Sequence, residues 1–153
     1  MDLALVWLHV SGNVVWIGSI LAVGLLLAMG GPGRSPQPPP VAGSKGDPKA
    51  RGEMAYDIYR RLAVPAFIVS FVFGAVRLGS DMSYYLKQHH WMHGKLTLAL
   101  VVIALHHVIG ARARKMANGA VQEAGPAGIL SVVLALAAVG ATFFVIFGKA
   151  LGW

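Results

Sequence analysis

WMHGKLTLALVVIALHHVIGARAR, residues 91–114, decides the fold. Between Lys95 and His106 every residue but Thr97 is apolar. With its flanks the stretch reaches the ~20 residues that a helix needs to cross the hydrocarbon core of a bilayer. Three further apolar stretches are long enough, at 3–29, 61–79 and 126–148. The second extends back to about Glu53, because Tyr56, Ile58, Tyr59 and Leu62 continue its helical pattern. The expectation is an all-α, single-domain integral membrane bundle, with transmembrane helices at 3–29, 53–79, 91–114 and 126–150. Pro65 lies inside the second helix and predicts a kink, and Pro126 suits the first turn of the fourth.

The composition agrees. Of 153 residues 56% are apolar and 12% charged, about half the ~25% charge of a soluble domain; the mean hydropathy is +0.64. This argues against a soluble globular protein, a disordered chain and a nucleic-acid-binding domain. The first span has no basic start and reads as a retained helix rather than a cleaved signal, whose apolar part is typically ~7–15 residues. The connection at 30–50 holds GGPGRSPQPPP and GSKGDPK. It predicts a flexible, partly polyproline-like linker.

The net charge of +7 reports topology in such a chain. Nine cations flank one side: Arg34, Lys45, Lys49, Arg51, Arg60, Arg61, Arg112, Arg114 and Lys115. Only Arg77, Lys87, Lys95 and Lys149 flank the other. The positive-inside rule then puts both termini on the non-cytoplasmic side of a bacterial-type plasma (inner) membrane. Trp7, Tyr84, Tyr85, Trp91 and Trp153 fall at that outer face, as an interfacial aromatic belt does.

Cysteine is absent, which excludes disulfides, c-type haem attachment and Cys-ligated iron–sulfur or zinc sites. Any metal must be held by His, Met or oxygen. Ionisable residues within spans are costly and are functional candidates by default. In the first helix His9, Asn13 and Trp16 share one stripe, Asn13 about 40° and Trp16 about 20° from His9, and suggest a polar pocket floored by an aromatic ring. The plainer alternative is a His9 that hydrogen-bonds a neighbouring helix. His9, Arg77, His93 and Lys95 come from three helices at similar outer depth. In the third helix His93 and His107 are about 40° apart in azimuth and ~21 Å apart along the axis. Lys95 and His106 form a second stripe on nearly the opposite side. At least one of these faces must turn to the bundle, and the other to a cavity or a partner, a second copy of the chain included. A bis-His haem held by one chain would use His9 and His93. His89, His90 and His93 with Met82 and Met92 suit copper, set against a plain interfacial polar segment.

These residues resemble the HemJ-type protoporphyrinogen IX oxidases, small four-helix membrane proteins. The resemblance covers most of the chain outside 31–50. It rests on WLHVSGNVVWIGS (7–19), YRRLAVPAFIVSFVFG (59–74), WMHGKL (91–96) with the later His and Gly110, and QEAGP (122–126). It implies a haem b cofactor, oxidation of protoporphyrinogen IX to protoporphyrin IX, and electrons passed to quinone or the respiratory chain. It makes His9 the haem-ligand candidate of the first helix, His93 and Lys95 a functional pair, and His106 the inner-end histidine. The candidate set is then Lys95, His106 and Arg77 as catalytic residues, and His9, His93, Asn13, Trp16 and His107 as cofactor-binding residues, with His9 and His93 on the metal. A lysine or arginine suits the substrate's propionates, and a histidine can take its protons. The Trp-x-Gly of the first helix also resembles the CopD-like copper-resistance membrane proteins. The alternatives are therefore a copper-binding or copper-transporting protein and a non-catalytic b-type haem electron carrier.

Overall fold

The computed structural model describes residues 3–29 and 47–151. The chain is all-α, with no strand among the described residues. Four helices are long and apolar enough to cross a membrane: α1 (Leu3–Ala28), α2 (Pro48–Ser80), α3 (Trp91–Ala117) and α4 (Ala127–Leu151). The linker expected at 30–50 lies outside the described residues except for its last part, which differs from the expectation. Helix α2 starts at Pro48, not near Glu53. Asp47 caps it, its carboxylate accepting from the Lys49 N–H at 2.9 Å. Pro48 takes the first turn, where its missing N–H is one of the unpaired donors anyway.

Pro65 acts where expected, but through a change of ladder. Residues Tyr59–Ala63 form a π-helical turn just before it, and the Val64 N–H reaches back to the Tyr59 carbonyl. A proline ring crowds the carbonyl four residues earlier and offers no donor of its own; the wider turn relieves both.

Consecutive helices pack side by side, and α4 closes the ring against α1. The first half of α2 touches both α1 and α3, whereas beyond the π turn Val64–Ser80 leans chiefly on α1. Small residues set these approaches. A Cβ at Gly52 would come within 2.5 Å of the Ala117 nitrogen, and one at Gly12 within 2.9 Å of the Ser70 nitrogen. Gly24 lies against Ser131 in the same way. Close backbone contact of this kind is how helices associate in lipid, which offers no hydrophobic drive between them. Trp16, Ile20, Val23, Leu27, Ile109, Met116 and Leu134 fill the centre. Val132, Leu136, Val139, Phe143 and Ile146 of α4 face outward, as lipid contact requires.

Helix α3 ends in a Schellman turn. Gly119 takes φ 71°, the Gly119 N–H bonds the Met116 carbonyl, and the Ala120 N–H bonds that of Lys115. At the other end of the bundle Tyr85, Trp91 and Met92 form a second buried cluster with Leu78, Leu96 and Phe144. This corrects the aromatic belt. Trp7 and Tyr84 are exposed, but Tyr85 and Trp91 are buried, because the 81–90 connection folds back over the helix ends. Trp153 lies outside the described residues.

Candidate functional site

On α1, one turn sets His9 above Asn13, and the Asn13 amide donates to His9 Nε2 at 3.2 Å. The partner from α2 is Ser70. His9 Nδ1 donates to the Ser70 carbonyl at 2.7 Å, and the Ser70 hydroxyl donates to Asn13 Oδ1 at 2.8 Å. Gly74 leaves room for the imidazole, since a Cβ there would meet the ring. The cluster closes on itself and uses both nitrogens of His9. The plainer reading of His9, as a bond between helices, describes this geometry.

His93 is engaged elsewhere. Its Nε2 donates to the Leu86 carbonyl at 3.0 Å, and its side chain is exposed. His9 and His93 are therefore not hydrogen-bond or ring partners of one another. The two rings instead make separate bonds, one inside the α1–α2 interface and one back to the connection before α3. Arg77 is likewise taken up by packing, its guanidinium lying 5.6 Å from the centre of the Tyr85 ring. Lys95 is half-buried and lies within Coulombic reach of His9.

Trp16 does not floor the His9 pocket. It lies about 10 Å deeper along α1 and donates its indole N–H to Nδ1 of the buried His106 at 3.0 Å. Tyr59, Phe67, Trp16 and His107 all set their rings within 6 Å of His106. Gly110 makes the Tyr59 position available, because a Cβ there would overlap the Tyr59 ring.

The two polar faces of α3 thus separate. Lys95 and His106 turn inward, while His93 and His107 turn out. His107 lines a groove of about 540 Å³ with Tyr56, Tyr59, Gly110, Arg114 and Lys115. That lies within the ~300–1,000 Å³ of ligand sites.

Hydrogen bonding fixes which nitrogen of each ring is available. A carbonyl only accepts, so a nitrogen bonded to one must carry the proton. His107 Nδ1 donates to the Ile103 carbonyl at 2.8 Å, which leaves its Nε2 with a lone pair. His93 is protonated on Nε2 by the same argument. His106 accepts at Nδ1 and so carries its proton on Nε2. His9 has its Nε2 lone pair occupied by Asn13. Of these four imidazoles, His107 alone offers a free Nε2 lone pair. For copper, no group of three His, Cys, Asp or Glu stands close enough to hold a metal ion among the described residues, and Met92 is buried in the packing cluster.

Sequence reasoning missed Ser70, Tyr56 and Tyr59. Ser70 was signalled by a serine and Gly74 at helical spacing in an otherwise apolar segment. Compared with protein-family models, curated proteins and solved structures, the chain matches none of them.

Proposed function

We propose that this chain is a multi-pass membrane oxidoreductase carrying haem b. It oxidises protoporphyrinogen IX to protoporphyrin IX and passes electrons to quinone or the respiratory chain. The observation that carries this reading is His107, which lines a groove with Arg114 and Lys115 and whose Nδ1 bond to Ile103 leaves the Nε2 lone pair available. A haem asks for a neutral imidazole nitrogen and for cations near its propionates, and these residues fit both needs. The Ile103 carbonyl orients the imidazole and raises its basicity, as a hydrogen-bonded second shell does for a metal-binding histidine. Haem supplies an electron acceptor when bound. Arg114 and Lys115 hold carboxylates, Tyr56 and Tyr59 wall the groove, and His106 fixes the tyrosine side of it through the Tyr59 ring contact. No other helix offers a histidine to this groove, so a second imidazole would come from a second copy of the chain. The cationic end lies in the cytoplasm in this reading, by the positive-inside rule.

The test is the spectrum of the detergent-purified protein, followed by porphyrin fluorescence on addition of protoporphyrinogen IX. A Soret band with a reduced α-band is expected, lost in His107→Ala and kept in His9→Ala. A colourless protein, or a His107→Ala variant with an unchanged reduced spectrum, removes the reading.

A further inference from the structure

Helix α3 ends in three cations, Arg112, Arg114 and Lys115, none of which has a carboxylate partner among the described residues. Lys49 and Arg61, at the same end of the bundle, do have one, in Glu53 and Asp57. Beside these cations runs a second trench of about 320 Å³, between α3 and the start of α4, lined by Val108, Ile109, Arg112, Lys115, Pro126 and Leu130. It differs from the His107 groove in kind. Its walls are aliphatic, no aromatic ring or histidine enters it, and both its charged residues are basic. Ala111 and Lys115, one turn apart, form the ridge that the two grooves share.

Arg112 is held in place by the connection before α4. Its Nε and Nη2 both donate to the Glu123 carbonyl, at 3.1 and 2.6 Å, which fixes the plane of the guanidinium. A guanidinium carries five N–H donors, so Nη1 remains, bonded to no protein atom among the described residues. A fixed cationic head at the mouth of an aliphatic trench, in a chain that crosses a bilayer, matches a molecule with a phosphate at one end and an acyl chain at the other. Basic pockets between transmembrane helices at the cationic face are where anionic lipid headgroups bind.

We infer that the trench between α3 and α4 is a binding site for an anionic phospholipid. The phosphate sits on Arg112 and Lys115, and an acyl chain lies along Val108, Ile109 and Leu130. The site shares only Ala111 and Lys115 with the His107 groove and is read by lipid binding alone, so its test is distinct from that of the oxidoreductase reading. Because Lys115 borders both grooves, lipid in one sets the charge at the edge of the other.

The experiment is native mass spectrometry of the detergent-solubilised full chain. The probes are dioleoyl phosphatidylglycerol, dioleoyl phosphatidylcholine and inorganic phosphate. A discrete complex with one phosphatidylglycerol is expected, with phosphatidylcholine roughly fivefold weaker or more, the weight of one cation near anionic lipid. Arg112→Gln should weaken phosphatidylglycerol binding by a similar factor. Val108→Trp should do so with the guanidinium intact, by filling the trench from a side chain that is already 52% exposed and so tolerates change. Arg61→Gln, which removes a cation from the same end but outside the trench, should leave binding unchanged. Equal binding of the two lipids, an equal loss in Arg61→Gln, or displacement of the lipid by excess inorganic phosphate would overturn the site.

Discussion

The Trp16 indole donates to His106 Nδ1 at 3.0 Å and ties α1 to α3 across the diagonal of the bundle. These two helices otherwise touch little, since each packs mainly on α2 and α4. Both side chains are buried, Trp16 at 6% and His106 at 1% exposure. In hydrocarbon neither the N–H nor the imidazole nitrogen has water to fall back on, so each needs the other.

Trp16→Phe should keep the ring packing against Phe67 and lose only the donor. The pair is measured by a double-mutant cycle with His106→Leu, followed through reversible unfolding in mixed micelles. Coupling of about 0.6–1.7 kcal/mol is expected, the range of side-chain hydrogen bonds between transmembrane helices. A coupling indistinguishable from zero would mean that the bond contributes shape only.

Two glycines predict opposite outcomes for one substitution. At Gly52 an alanine methyl meets the backbone of Met116 and Ala117, so Gly52→Ala must push α2 off α3. Overpacking of this kind costs about 1–3 kcal/mol. At Gly18 nothing stands within 4 Å of the added methyl. Gly18→Ala should therefore stabilise by roughly 0.5–1 kcal/mol through helix propensity alone. Thermal denaturation of the two variants in detergent separates them, and a shift of the same sign in both contradicts the packing described.

The fold was legible because lipid crossing needs only length and hydropathy, and all four spans carry both. Helix starts were less legible. The Asp47–Pro48 pair is a start signal, but it sat at the end of a Pro/Gly-rich run that argued for linker. At the site, helical geometry put His9 and Asn13 on one stripe, and they do bond. It could not say which neighbour faces that stripe, and Ser70 did so rather than His93. His106 and His107 differ by about 100° around the axis, so one must turn in and the other out. The sequence is symmetric between those choices; Trp16 and Gly110 decide them through packing. Hydrogen bonding to backbone carbonyls then determines which nitrogen is free, and no residue pattern encodes that.

The positive-inside rule predicts that the first connection faces the cytoplasm. A cysteine placed at Ser35 or Ser44 lies in the connection that carries much of the cationic excess. It should resist an impermeant thiol reagent added to intact cells and react only after permeabilisation. The chain has no cysteine of its own, so the background is clean. Ready labelling in intact cells reverses the orientation and puts the His107 groove on the outer side.

Lys95 and Lys115 divide the two ends of α3 between them. Lys95 precedes His107 by 12 residues, about 18 Å along the axis, and is within Coulombic reach of His9 instead. Lys115 borders the groove into which His107 opens. One tetrapyrrole on His107 cannot bring its carboxylates to Lys95 as well. If oxidation takes place in the groove, Lys115→Met should lower turnover of protoporphyrinogen IX roughly tenfold, the loss of about 1.4 kcal/mol of binding in the transition state. Lys115→Arg should retain part of the activity, because the charge stays while the geometry of its donors changes. Lys95→Met should leave both the haem spectrum and the turnover close to those of the parent. The opposite result, a severe loss of turnover in Lys95→Met with the haem spectrum intact, would move the substrate to the level of His9. The resemblance of His93-x-Lys95-Leu96 to the family motif would then describe the substrate site, with His107 left to the cofactor alone.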